Sequence, residues 1–301
     1  VAFERYIHVL AKSGRHFQEV FRAYEAMAAR SGDTVAMLPA ESWSAERPEW
    51  QDPRTAVILW WSNGAWAFQD KVPVRRKAFL ALWYLESACD PARLCPMQRR
   101  IFEGFRDNLS RADLVIACNP SGAEALAPFS KRTAFAPIGY DPEFMGRPNY
   151  SEMKKHDLGT CLGITGRREW IMPAVDIRFG PRALNALGLW YGDLRRAYDS
   201  CRAELYVAHS DEPGFPGMRI WHAAATSAAL VTEKRDAWPM VAGRHYIELE
   251  DAIPSAPEAF AEQVDAALST HPVKSIARTC HAEMAAYTPE KATEFIVRAI
   301  G

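Results

Sequence analysis

The chain has 301 residues, 49% of them apolar and 24% charged, with a net charge of −1. Such a length and composition suit a globular protein of two domains, each with a sizeable core. Near-neutrality argues against broad adhesion to nucleic acid, and no apolar run approaches the ~20 residues that span a bilayer. Cys89, Cys95, Cys118, Cys161, Cys201 and Cys280 are scattered without a C-x-x-C pair. Reduced thiols in a cytoplasmic protein are therefore expected, rather than disulfides or a metal site. No basic segment followed by an apolar core opens the sequence, so secretion is not expected.

Residues 6–11 read as a short apolar strand, followed by the loop Lys12-Ser13-Gly14-Arg15-His16. Phe17, Val20, Phe21, Tyr24, Met27 and Ala28 recur at helical spacing up to Arg30, Gly32 closes that helix, and 34–38 form the next strand. This unit sets Gly14, Arg15 and His16 at the carboxyl end of a strand, where ligands gather in open parallel sheets. Further strands are expected over 56–60 and 78–85, with Ser62 and Asn63 just past the first and Glu86 past the second. Trp66 and Phe68, between them, are candidates for a concave wall. A helix over 96–112 turns Ile101, Phe102, Phe105 and Leu109 inward. A strand over 113–118, a helix opened by Asn119-Pro120, and a strand over 133–137 complete a first set. Alternation of this kind predicts a doubly wound parallel sheet.

Periodicity fails between Tyr140 and Gly159, where an inter-domain linker is expected. A second strand set starts over 158–164 and runs into Thr165-Gly166-Arg167-Arg168. Residues 192–203 read as an amphipathic helix, and a buried strand over 205–208 follows. Next come a glycine- and proline-rich loop over 211–217, a small-residue helix from about Met218, and a strand over 229–232. Backbone N–H groups at such a helix start can receive an anion. On that helix Arg219, His222 and Thr226 stand at i, i+3 and i+7, on one face. A strand over 246–249, helices over 257–269 and 274–286, and a last helix opened by Pro289 end the chain. The basic clusters Arg75-Arg76-Lys77 and Arg99-Arg100 with Arg106 read as solvated faces.

Five stretches carry a resemblance: SRADLVIACNPS (110–121), FAPIGYDPEF (135–144), LGITGRR (162–168), YGDLRRAY (191–198) and RIWHAAATSAALVTE (219–233). The first two resemble the end of the N-terminal domain in GT-B glycosyltransferases. The others are similar to the CgeB-like (spore maturation protein) members of that group, within its family 1- and 4-like branch. The resemblance implies an α/β protein of the GT-B class, two Rossmann-like doubly wound parallel-sheet domains facing a central cleft. Residues 1–148 would form the acceptor-binding domain and 149–285 the nucleotide-sugar domain, with 286–301 a C-terminal helix packing back on the first.

The resemblance also implies sites. Arg219, with Thr165, Arg167 and Arg168, would contact the donor diphosphate, guanidinium groups supplying paired donors. Tyr191, Phe215, Gly217 and His222 would complete the donor site, and Gly14, Arg15, Ser62, Asn63 and Trp66 the acceptor side. His16 or Glu86 would be the general base. His222 stands where the family has a ribose-binding Glu, so Glu212 or Glu233 could take that role. Gly214 replaces the first of two glutamates spaced eight apart in retaining relatives. No metal or resident cofactor is implied, only a nucleotide-sugar co-substrate such as UDP-glucose.

The implied activity is transfer of a sugar from a UDP-sugar to a hydroxyl. The acceptor stays open among a small molecule, a glycan and a protein. Alternatives are a phage-type DNA glycosyltransferase acting on a hydroxymethylated base, with the arginine clusters lining a duplex cleft, a non-catalytic sugar-nucleotide-binding protein, and an epimerase or hydrolase.

Overall fold

The computed structural model describes residues 3–10, 18–61, 70–85, 96–164, 166–209, 214–250 and 256–301. The first half holds β1 (Arg5–Leu10), α1 (Gln18–Arg30), β2 (Val35–Pro39), β3 (Thr55–Trp61) and β4 (Phe79–Tyr84). It continues through α2 (Pro96–Leu109), β5 (Leu114–Ala117), α3 (Pro120–Leu126) and β6 (Thr133–Phe135). The six strands pair in parallel in the order β2-β1-β3-β4-β5-β6. Strand β3, Thr-Ala-Val-Ile-Leu-Trp-Trp, is buried at every position, as a central parallel strand covered on both faces should be.

Aromatic residues fill one side of this sheet. Trp60 meets Tyr24 at 4.5 Å and Trp83 at 4.6 Å between ring centroids, edge to face in both cases. His8 on β1 lies fully buried among them and accepts the Trp60 indole N–H on Nδ1 at 3.0 Å. Burial drops the imidazole pKa to about 3, so this histidine stays neutral.

The second half begins with β7 (His156–Thr160), α4 (Arg168–Phe179), β8 (Ala183–Asn185), α5 (Tyr191–Asp199) and β9 (Cys201–Tyr206). It goes on through α6 (Gly217–Ala225), β10 (Ala229–Glu233), β11 (Tyr246–Leu249), α7 (Pro257–Thr270), α8 (Val273–Met284) and α9 (Pro289–Ile300). Its sheet is also wholly parallel, in the order β11-β10-β9-β7-β8. The last helix lies against α1 and β6 of the first half, where Arg132 Nη2 donates to the Ala299 carbonyl at 2.6 Å and Arg30 pairs with Glu290.

Several sequence expectations need correction. The helix expected over 192–203 ends at Asp199, and Cys201 already belongs to β9, because a buried run outcompetes helical spacing once neighbouring strands can pair with it. Strand β7 begins at His156, inside the expected linker, and stops at Thr160 rather than 164. The helix from Pro96 ends at Leu109, three residues early. Helix α4 and strand β8 were not expected at all: Pro173 inside α4 and the brevity of β8 hide both patterns. Thr226 is the extended C-cap of α6, so it does not share a helical face with Arg219 and His222.

Candidate active site

In the second sheet β8 lies on one side of β7 and β9 on the other, so the chain reverses direction across the sheet at β7. The loops leaving β7 and β9 therefore part, opening a crevice at the carboxyl edge where ligands bind in such sheets. One loop leads into α4 through Arg167 and Arg168; the other leads into α6 through Phe215, Pro216 and Gly217.

Four guanidinium groups come together at this edge. Arg168 is buried and fastens the two loops: Nε donates to the Val207 carbonyl at 2.6 Å, and Nη1 to the Gly163 carbonyl at 3.3 Å and to His209 Nε2 at 2.8 Å. Its guanidinium carbon sits 5.5 Å from the Tyr206 ring centroid, and that of Arg219 sits 5.4 Å from the same ring. Arg219 Nη2 donates to the Cys161 carbonyl at 2.9 Å. Arg167 Nη2 donates to Glu233 Oε1 at 2.7 Å, while Arg235 Nε donates to Oε2 of the same carboxylate at 3.1 Å.

The acids here do not cancel that charge. Glu233 is fully buried and serves two arginines. Glu204, on β9 two residues before Tyr206, is 2% exposed, and neither carboxylate oxygen has a hydrogen-bond partner among the described residues. Burial raises its pKa to about 7, with the Arg219 charge acting the other way. Four guanidinium groups beside two buried acids make this a cation-rich, partly desolvated edge suited to a polyanion.

Of the donor-side residues expected from sequence, the structure gathers Arg168, Arg219 and Phe215 around Tyr206, and holds Arg167 on Glu233. The Phe215 ring lies 4.9 Å from that of Tyr206. His222 stands a turn further along α6, edge-on to Trp221. Tyr191 opens α5 with φ 48°, the one non-glycine in the left-handed region among the described residues, a strained conformation of the kind that clusters at functional sites. Gly217 faces the first domain: a Cβ there would lie 2.6 Å from Cys118 Sγ. Gly14, Arg15, His16, Ser62, Asn63, Trp66, Glu86 and Thr165 lie outside the described residues, as does Glu212. Each oxygen of the fully buried Glu233 accepts from a guanidinium.

Sequence reasoning missed Arg235, Glu204 and Tyr206. An acid inside the apolar run Glu204-Leu205-Tyr206-Val207 was the available signal, since an unpaired carboxylate in a buried strand is costly without a function or a neighbouring cation. Missed as well were the contacts that join the two carboxyl edges. Asn119, past β5, donates from Nδ2 to the Phe215 carbonyl at 3.1 Å, and the Ser121 N–H donates to Asp236 Oδ2 at 2.8 Å. The two sheets thus present their carboxyl ends to each other.

No protein-family model matches the sequence, and no curated protein matches it. Solved structures do match in three dimensions. HepE of Anabaena, in complex with UDP-glucose, superimposes with a TM-score of 0.60 at 12% identity, over 97% of this chain and 99% of that one. The UDP-forming α,α-trehalose-phosphate synthase of Burkholderia xenovorans gives 0.59 at 9%, over 98% and 100%. This is the GT-B fold. TarM of S. aureus shares it at 0.60 and 7%, over 83% of this chain, which spans only 55% of TarM. In GT-B terms the guanidinium cluster lies at the carboxyl edge of the C-terminal domain, facing the N-terminal one.

The Arg75-Arg76-Lys77 cluster of the first half lies elsewhere. Arg76 Nη1 donates to the Ala78 carbonyl at 2.8 Å and to Asp113 Oδ2 at 2.6 Å, and Nη2 to the Arg111 carbonyl at 2.8 Å. Ala78 and Asp113 precede β4 and β5, so this cluster sits at the amino-terminal edge, away from the facing carboxyl ends. It does not line a duplex cleft, and nothing in the structure supports the DNA alternative. Among the described residues no helix is long and apolar enough to cross a membrane, and no group of three or more His, Cys, Asp or Glu could hold a metal. Cys118, Cys161, Cys201 and Cys280 form no disulfide among the described residues, and burial raises the thiol pKa of Cys161, Cys201 and Cys280.

Proposed function

We propose that the chain is a glycosyltransferase that moves a sugar from a nucleoside-diphosphate donor, UDP-linked, to an acceptor hydroxyl without a metal. The observation that carries this reading is the convergence of Arg167, Arg168, Arg219 and Arg235 at the β7/β9 switch point, opposite the carboxyl ends of the first sheet. A departing diphosphate develops charge as the glycosidic bond breaks, and fixed guanidinium groups beside the start of α6 stabilise it most in the transition state. The solved GT-B structures bound to UDP and UDP-glucose support uridine as the nucleoside of the donor.

The acceptor would be presented by the first domain. His16 and Glu86 follow β1 and β4 in the sequence, and either could take the acceptor proton as the new bond forms. His16→Ala is expected to keep donor affinity and abolish turnover.

A thermal-shift screen of UDP-, GDP-, ADP- and TDP-sugars tests the donor. Ligand at 100 times its dissociation constant should add roughly 2.7 kcal/mol. Loss of one charged donor by Arg167→Ala should weaken UDP binding about 10- to 100-fold by calorimetry. Unchanged affinity in that variant, or no stabilisation by any nucleotide sugar, sinks the reading.

A further inference from the structure

At the opposite, amino-terminal edge of the second sheet lies a cavity of about 470 Å³. Four pieces of chain surround it: Tyr150 to Lys154 from the connection between β6 and β7, Arg202 at the start of β9, Ser227 just before β10, and residues 271–275 at the start of α8. Its cations are Lys154, Arg202 and Lys274, with His271 beside them and Glu152 the one acid in the lining.

Each cation is held differently. Lys154 Nζ is half-buried and donates to the Asp199 carbonyl and to Ser227 Oγ, both at 2.7 Å. Burial holds its ammonium below the ordinary lysine range, and the charge of Lys274 adds to that push against Asp199, Cys201 and Glu152. Arg202 is steadied by Asp157 Oδ1 at 3.1 Å and the Leu268 carbonyl at 2.8 Å. Lys274 is exposed and has no counter-ion among the described residues. Asp157 already pairs with Arg202, whereas Lys274 repels the Lys154 ammonium, and the positive end of the twelve-residue α8 adds to the field that an entering anion would meet. The remaining wall is apolar: the Tyr150 ring, backed by the Arg278 guanidinium at 5.2 Å, with Pro272 and Val273.

We propose that this cavity binds a small phosphate monoester, with the dianion between Lys154, Arg202 and Lys274 and the organic part against Tyr150, Pro272 and Val273. Phosphate matches a multi-cation site with hydroxyl donors, and the apolar wall distinguishes an ester from the bare ion. Tyr150 to Lys154 belong to the connection between the two sheets, so an occupied cavity ties that connection to the back of the second domain. The inference stands apart from the donor reading, because the cavity shares no residue with the guanidinium cluster at the carboxyl edge.

Calorimetry on the full chain at fixed ionic strength tests it, with glucose 6-phosphate, inorganic phosphate and glucose as probes. Glucose 6-phosphate is expected to bind, inorganic phosphate more weakly, and glucose not at all. Lys274→Glu and Arg202→Ala alter exposed side chains and should weaken the ester at least about tenfold, the loss of a charge-assisted contact. Arg167→Ala, in the donor cluster, should leave ester binding intact. Absence of binding, equal binding of inorganic phosphate, or a loss caused by Arg167→Ala but not by Lys274→Glu overturns the assignment.

Discussion

Glu204 lies on β9 between the buried Ala203 and Leu205. It stands in a buried strand with a guanidinium nearby, and both oxygens lack a hydrogen-bond partner among the described residues. Its pKa of about 7 in the fold lies above the ordinary carboxylate value of 4.5. The folded state therefore holds a proton that the unfolded chain releases, and stability falls as pH rises from about 4.5 to about 7. Glu204→Gln should raise unfolding free energy by roughly 1–3 kcal/mol at pH 8 and leave it nearly unchanged at pH 4. Denaturant titrations at the two pH values check this; an equal gain at both would show that the carboxyl pKa does not change on folding. Glu233 behaves in the opposite way, since removing it takes a buried counter-charge from two arginines. Glu233→Ala should cost about 3–5 kcal/mol and also lower UDP affinity, by releasing Arg167 and Arg235 from their positions.

At the scale of elements, β1 carries a pH sensor of the reverse sign. The His8 pKa of about 3 in the fold lies below the ordinary 6.5, so the unfolded chain takes up a proton that the native sheet refuses. The contribution is complete above pH 6.5 and is lost as pH falls toward 3, with a limiting slope of about 1.4 kcal/mol per pH unit. His8→Asn, which keeps an acceptor for the Trp60 indole, should flatten that acid limb in pH-dependent thermal unfolding. An unaltered limb would assign the acid sensitivity to other groups. Helices α4 and α6 show why the donor edge takes its form. Each starts directly after a strand–loop pair at the switch point, so arginines at their first turns (Arg168, Arg219) are aimed at one aromatic ring, Tyr206.

Across the whole molecule, the contact between carboxyl edges depends on missing atoms. Gly217 lets α6 start against Cys118 and Ile138, and any Cβ there meets sulfur at 2.6 Å. Gly217→Ala should destabilise the chain by about 1–3 kcal/mol, as overpacking does, and Cys118→Ala in the same chain should return part of that loss. Simple additivity of the two substitutions in denaturant unfolding would show that the edges do not bear on each other. Asn119 and Asp236 bridge the same seam, capping the start of α3 from both domains. Much of this architecture is legible in the residues: apolar runs such as 55–61 and 79–84 alternate with helical spacing, and that alternation implies parallel sheets. The arginines of Gly166-Arg167-Arg168 and Arg219 could also be picked out, because they follow strands and open helices.

Residue order alone is therefore informative about local matters: which stretches are buried strands, where helices begin, and which cations stand at their starts. Those properties follow from side-chain periodicity and capping within a few residues. That β8 lies beyond β7, that Arg235 shares Glu233 with Arg167, and that Glu204 lies near the Arg219 charge emerge from the fold. Each of these joins residues brought together by strand order and register, to which no short-range pattern is sensitive. The back cavity has the same origin, since Lys154, Arg202, Ser227 and Lys274 meet only after four separate segments converge at one end of a twisted sheet.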